Sequence, residues 1–273
     1  MRIRIVDAFT DRPFAGNPAG VVLLDSGPFP GDDRLQRIAA EVNLSETAFA
    51  HPLPGDAGAD WALRWFTPAT EVNLCGHATL ATAHVLHTTG AATGTVRFAS
   101  RSGVLTATAA RDGSITLDFP TAPLTEVSVG EEIGAALGAE VLSAYDTGEN
   151  VGDLLVELAD EKTVRTLAPD LAAVARLPHR GVVVTARAAE EDAPYDFVSR
   201  FFGPAVGIDE DPVTGSAHTA LAPLWSARLG RETLTGLQAS ARTGLVRTTL
   251  RGERTLLTGD AVTVVDGELL TGP

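Results

Sequence analysis

The sequence predicts an α+β fold of two pseudo-symmetric half-barrels, each wrapped around a central helix, and three observations carry that prediction. The chain repeats itself once. Arg64-Trp65-Phe66-Thr67-Pro68-Ala69 returns as Arg200-Phe201-Phe202-Gly203-Pro204-Ala205, and Gly76-His77-Ala78-Thr79 as Gly215-Ser216-Ala217-His218. Ala99-Ser100-Arg101-Ser102-Gly103 returns as Ala239-Ser240-Ala241-Arg242-Thr243-Gly244. The three matches keep their order, each roughly 140 residues on, as a duplication would. Second, Ala-Thr-Leu-Ala-Thr-Ala-His-Val-Leu at 78–86 is small or apolar almost all round, so this helix seeks burial on every side. Third, short strands with turn signals flank both copies.

Taken in order, alternating apolar residues predict strands at 3–8 and 20–24, a helix at 33–42, and strands at 47–51 and 62–66. A helix at 76–86 follows, then hairpin strands at 95–101, 104–110 and 114–119. The second copy reads as strand 154–158, helix 169–175, strands 182–186 and 197–202, and helix 215–229. Strands then run to 239 and over 244–250, 254–258 and 261–266. Asp112-Gly113 and Asp266-Gly267 are hairpin signals, because Asp-Gly tolerates the positive φ of a type I′ turn. The expected division is 1–125 and 126–273, with the C-terminal strand a candidate to cross over and function expected in the cleft between the halves.

Composition narrows the partners. The 273 residues carry 35 acidic and 21 basic side chains, a net charge of −14 that repels nucleic-acid phosphates and anionic membranes. Lys162 is the only lysine, which nearly excludes Schiff-base and pyridoxal-phosphate chemistry. A single cysteine, Cys75, forbids an intrachain disulfide and a Cys-rich zinc site. With no signal-peptide pattern and no apolar run long enough to span a bilayer, the expectation is a cytoplasmic protein. No Walker A loop, G-x-S-x-G elbow or G-x-G-x-x-G after a strand is present.

The candidate chemistry gathers at the two helix starts, Cys75-Gly76-His77 and Thr214-Gly215-Ser216. Unpaired amides and the positive end of a helix dipole attract an anion, and glycine lets a ligand approach the backbone; plain capping by Thr214 is the structural alternative. Glu46, where a helix exit enters an apolar strand, is a candidate acid/base whose pKa burial would raise, or else a solvated turn charge. Asp211 is the acid nearest the second helix start. His77, in a first helical turn, is a candidate general acid or donor, or a structural histidine. His84 and His87 have i, i+3 spacing, but no third ligand follows, so no metal is expected.

Six stretches together resemble the phenazine-biosynthesis isomerase (PhzF-like) family. They are Asp7-Ala8-Phe9, Gly16-Asn17-Pro18-Ala19-Gly20, Ser45-Glu46-Thr47-Ala48-Phe49, Phe66-Thr67-Pro68-Ala69, Leu74-Cys75-Gly76-His77-Ala78-Thr79 and Glu210-Asp211-Pro212-Val213-Thr214-Gly215-Ser216-Ala217-His218. The resemblance covers essentially the whole chain. It implies a diaminopimelate-epimerase-like fold, a homodimer, no cofactor or metal, and a small carboxylate-bearing substrate. In the phenazine enzyme, trans-2,3-dihydro-3-hydroxyanthranilate is isomerised by moving a proton between ring carbons. The resemblance assigns Glu46 as the base that removes and returns the proton. It makes His77 and Asp211 the groups that hold the substrate and relay protons, Gly76, Gly215 and Ser216 the carboxylate binders, and Asn17 and Ser45 the edge of the site. This chain departs from the phenazine enzyme at Cys75, where that enzyme has small residues, and at Asp-Pro-Val-Thr-Gly-Ser in place of Asp-Ala-Ala-Thr-Gly-Ser.

Those departures keep two rivals open. Epimerases and dehydratases of the same superfamily place an acid/base pair at the two helix starts, here Cys75 and Thr214, as on a hydroxyproline-like substrate. A catalytically silent metabolite-binding protein is the other.

Overall fold

The computed structural model describes residues 1–55 and 58–270, which cluster into two compact units. The first runs to Asp118 and takes up the chain again from Thr258; the second is Phe119–Leu257.

The first unit opens with β1 (Arg2–Ala8) and β2 (Asn17–Leu23), paired antiparallel with Ala8 opposite Asn17. Gly16 at the turn has φ +65°, and a Cβ there would stand 2.2 Å from the Ala8 carbonyl oxygen, so only glycine fits. Helix α1 (Asp32–Val42) carries Asp32 and Asp33 in its first turn, where the dipole favours acids, and Asn43 ends it in the left-handed conformation. It leads into β3 (Glu46–Pro52), which pairs parallel with β2 and antiparallel with β4 (Trp61–Phe66). The short β5 (Glu71–Val72) folds back on β4. Helix α2 (Gly76–Thr88) follows, then β6 (Thr95–Ser100), parallel to β4, and the meander β7 (Gly103–Ala109) and β8 (Ile115–Pro120). Asp112-Gly113 makes the β7–β8 turn, with Gly113 at φ +92°.

The second unit repeats this plan. It runs β9 (Thr125–Val127), α3 (Glu131–Leu137), β10 (Val141–Asp146), β11 (Asp153–Leu158), α4 (Glu161–Thr166), α5 (Leu171–Val174), β12 (Gly181–Arg187) and β13 (Phe197–Gly203). Then come β14 (Ile208–Asp211), α6 (Gly215–Leu229), β15 (Thr233–Gln238), β16 (Gly244–Arg251) and β17 (Arg254–Gly259), the last reaching across the boundary in sequence. Strand β11 lies parallel to β12 as β2 lies parallel to β3, and β13 parallel to β15 as β4 to β6. The chain ends in β18 (Ala261–Glu268), which pairs antiparallel with β1 in the first unit, as β9 pairs with β10 in the second.

Both central helices are buried as their composition demands. In α2, His77 through Ala83, Val85 and Leu86 are buried, and the helix packs on β1, β2, β3, β7 and β18. In α6, Ala217 through Ala222 and Leu224 through Ser226 are buried, against β11, β15 and β16. Pro223 sits inside α6 and has no N–H for the Thr219 carbonyl; that carbonyl instead accepts the Ala122 amide at 3.2 Å.

Two sequence expectations fail. Asp266-Gly267 is no hairpin: both residues lie within β18, opposite Arg4 and Ile3, because the edge of β1 offers a longer ladder than a local turn. No element is expected between residues 119 and 154, yet the chain forms β9, α3 and β10 there. Strand β10 buries only Ala144 and so lacks the apolar alternation that marks a strand.

Candidate active site

In the first unit the β3 and α2 starts converge. Glu46 is the first residue of β3, opposite Ala19 of β2, and Asn17, fully buried, opens β2 two residues earlier. Cys75 is the N-cap residue of α2, in extended backbone and with no side-chain cap bond; Gly76 and His77 form the first turn. Glu46 Oε2 lies 3.2 Å from His77 Nε2, although the pair does not reach hydrogen-bond geometry and Nε2 makes no hydrogen bond. At the other ring nitrogen, Cys75 Sγ is 3.5 Å from His77 Nδ1. The side chains of Glu46 and His77 are 13% and 6% exposed. Burial pulls the imidazole down to about 3, so His77 is neutral at physiological pH even beside a carboxylate. Glu46, Cys75 and His77 each offer one metal-ligating atom within 4.8 Å of the others. Ser45 is half-buried beside Glu46.

In the second unit the α6 start is built differently. Thr214 is the N-cap residue by position, yet its side chain makes no cap bond. Its hydroxyl donates to Asp211 Oδ2 at 2.5 Å, and its amide donates to Gln238 Oε1 at 2.8 Å. The Gln238 amide nitrogen closes the ring by donating to the Asp211 carbonyl at 2.8 Å and to Thr214 Oγ1 at 3.1 Å. Asp211 is 9% exposed and Thr214 7%. Plain capping by Thr214 therefore gives way to a locked loop. His218, fully buried, places Nδ1 2.8 Å from the Thr214 carbonyl oxygen, and burial holds its pKa down to about 4 against that bond. Ser216 accepts a 3.1 Å bond from Arg180, whose guanidinium grips the buried Asp153 at 2.9 and 2.7 Å and lies over the Phe201 ring.

The predicted residues thus fall into two sets, Glu46, Cys75, Gly76 and His77 with Asn17 and Ser45 nearby in β2 and β3, and Asp211, Thr214, Gly215 and Ser216. Sequence reasoning missed Gln238, Arg180 and Asp153. Gln238 directly precedes the repeated Ala239-Ser240, which is the signal that marks it; nothing in sequence singles out Arg180 or Asp153. His84 Nε2 lies 3.1 Å from Thr263 Oγ1, and among the described residues His84 and His87 join no group of three metal-ligating side chains. No helix among the described residues is long and apolar enough to cross a membrane.

Comparison with known proteins bears on both sets. The profile of the PhzC-PhzF family, described as phenazine biosynthesis-like protein, matches residues 6–267. A Pseudomonas aeruginosa protein named as an uncharacterised isomerase is 49% identical over 268 residues, which is 97% of this chain and 96% of that one. The crystal structure of a PhzF-family phenazine biosynthesis protein from Enterococcus faecalis has a TM-score of 0.91 at 41% identity, over 99% of each chain. A hydroxyproline epimerase from Agrobacterium vitis, solved with bound trans-4-hydroxy-L-proline, has a TM-score of 0.61 at 14% identity, over 98% of this chain and 91% of that one. The last likeness is one of fold.

Proposed function

The chain belongs to the phenazine biosynthesis-like PhzC-PhzF family, and on that premise we propose that it is an isomerase that moves a proton between carbons of a small carboxylate-bearing metabolite, using Glu46 as acid/base and no cofactor. The observation that most supports this reading is Glu46 Oε2 3.2 Å from a buried, neutral His77 at the start of α2. A protonated histidine there would hold Glu46 as a permanent carboxylate. A neutral one leaves it free to take a proton and return it.

In this reading the Glu46 carboxylate removes a proton from one carbon, charge spreads into the substrate, and the same proton is delivered to a second carbon. The reaction is a net isomerisation with nothing consumed. The developing charge requires fixed donors, and each helix start offers candidates within its own unit: the amide at Gly76 and the neutral His77 at the α2 start, the amide at Gly215 and the Ser216 hydroxyl at the α6 start. Asp211, held by Thr214 and Gln238, would orient an amino or hydroxyl group of a molecule bound at the α6 start. Since the chain carries −14 net charge, these local donors must outweigh a repulsive field.

A second reading makes Cys75 and Thr214 the acid/base pair of an epimerase or dehydratase, and the 3.5 Å Cys75–His77 contact favours it. Two features weigh against it. An imidazole pulled down to about 3 is a poor base for a thiol, and the Thr214 hydroxyl is already donated to Asp211. The experiment that separates the two is deuterium wash-in from D₂O, by mass spectrometry, over dihydrohydroxyanthranilate and small hydroxy- and amino-acids. Exchange that collapses in Glu46→Gln and persists in Cys75→Ser supports the Glu46 isomerase. The reverse dependence replaces it with the thiol mechanism, and exchange in neither protein nor variant leaves a binding protein.

A further inference from the structure

We propose that Glu46, Cys75 and His77 also form a binding site for a thiophilic divalent cation, with Zn²⁺ as the ion to test, and that its occupation arrests chemistry at this site. The binding rests on the ligand set alone; the arrest rests on the reading of Glu46 given above.

Three different ligand types meet here, a thiol sulfur, an imidazole nitrogen and a carboxylate oxygen, with one atom of each within 4.8 Å of the others. Zinc takes such mixed sets, with bonds of about 2.3 Å to sulfur and 2.0 Å to nitrogen, so that a tetrahedral site spaces those two ligands by ~3.6 Å. Cys75 Sγ and His77 Nδ1 already stand 3.5 Å apart. His77 is 5% exposed, and its Nε2, 3.2 Å from Glu46 Oε2, has no hydrogen-bond partner, so one nitrogen of a buried ring stands unsatisfied inside the cluster. Rotation of the Glu46 carboxylate, 13% exposed, brings in the third ligand and leaves a fourth position for water. On binding, a sulfur–metal bond forms and the thiol proton passes to solvent. A carboxylate oxygen bonded to the metal no longer takes a proton from carbon.

The matching positions of the second unit offer nothing comparable. Thr214, Ser216 and Asp211 bring hydroxyls and a carboxylate that already accepts the Thr214 hydroxyl, and no sulfur. The expected stoichiometry is one ion per chain.

The full chain, stripped of metal with chelator, is titrated with Co²⁺ and read by absorbance, and Zn²⁺ affinity is measured by competition with a chromophoric chelator. One equivalent of Co²⁺ with a sulfur-to-cobalt charge-transfer band is expected. Cys75→Ser abolishes the band, and both Cys75→Ser and His77→Gln weaken Zn²⁺ binding by at least about 100-fold, the upper end of what loss of a mere supporting partner costs. His84→Gln, farther along α2, leaves the affinity unchanged. Circular dichroism confirms that each variant is folded, and Cys75→Ala carries the same test should Cys75→Ser fail to fold. Absence of the band, or Zn²⁺ affinity indifferent to Cys75, overturns the site. Stoichiometric Zn²⁺ should then abolish Glu46-dependent deuterium exchange, with recovery on adding EDTA; exchange that continues at full zinc occupancy overturns the arrest. If the band forms but no substrate exchanges in the metal-free protein, the isomerase reading fails while the metal site stands.

Discussion

At the start of α2, Cys75, His77 and Glu46 lie side by side with an imidazole nitrogen left without a hydrogen bond, whereas at the start of α6, Thr214, Asp211 and Gln238 close a ring of four. The two units share their strand pairings and the position of their central helix, so the contrast arises on one scaffold used twice. A ring of satisfied bonds fixes a loop in one arrangement. At the α2 start three titratable side chains meet instead, with one imidazole nitrogen left without a hydrogen bond. The backbone that makes a helix start is common to both copies; on the reading proposed above, proton chemistry falls to the first copy and rigid holding to the second.

The largest expected effect breaks the comparison at Glu46. Glu46→Gln should lower deuterium exchange about 10³-fold, the middle of the range for a positioned acid/base, with little change in thermal midpoint. Asp211→Asn should instead raise the half-saturating substrate concentration more than it lowers the rate, if the second start holds rather than reacts. Equal loss of rate in both variants would erase the division of labour.

Acid should destabilise both units. His77 and His218 have folded-state pKa values of about 3 and about 4, below the unfolded value near 6.5, so the unfolded chain binds more protons and stability falls as pH drops from about 6.5 toward those values. Between pH 7 and pH 5 each histidine should cost about 2 kcal/mol, read from urea unfolding midpoints at the two pH values. His77→Gln and His218→Gln should each flatten that dependence by half. A variant with an unaltered slope would show that its histidine is protonated in the fold.

Thr214→Val takes from Asp211 the hydroxyl that donates to it and should cost about 1–3 kcal/mol in unfolding free energy. Cys75→Ala, at the matching position, should cost about 1 kcal/mol, since it removes one buried sulfur and a weak contact. A reversed order would mean that the first start is the stiffer one. The smallest effect is expected from Pro223→Ala. The new N–H competes with the Ala122 amide for the Thr219 carbonyl, and the gain and loss should cancel to within about 1 kcal/mol. Faster hydrogen exchange at the Ala122 amide would report that competition directly.

How far a site could be read from residues depended on how local its signal was. Glu46, His77, Asp211 and Ser216 stand in short runs whose residue types carry the chemistry, and both helix starts follow from a glycine before an all-apolar segment. Helix α6 runs over Gly215–Leu229, as its composition predicts, Pro223 notwithstanding. The Arg180–Asp153 pair was illegible because it is joined to the α6 start across 36 residues with nothing local to mark it, and Gln238, 24 residues from Thr214, is marked only by its place before the repeated Ala239-Ser240. The same distance hid the fate of Asp266-Gly267. A type I′ turn is a local preference, and a ladder with β1, more than 250 residues away, overrode it.

Residue order alone settled the duplication, the buried character of both central helices and the family, since each depends on patterns that survive within a dozen residues. Contact geometry settled the rest: that Thr214 bonds Asp211 instead of capping its helix, that His77 meets Glu46 through one ring nitrogen and Cys75 through the other, and that the last strand returns to the first unit. These outcomes turn on burial and on partners brought together from distant parts of the chain. Burial changes the cost of a charge or an unmade hydrogen bond by more than any local preference can.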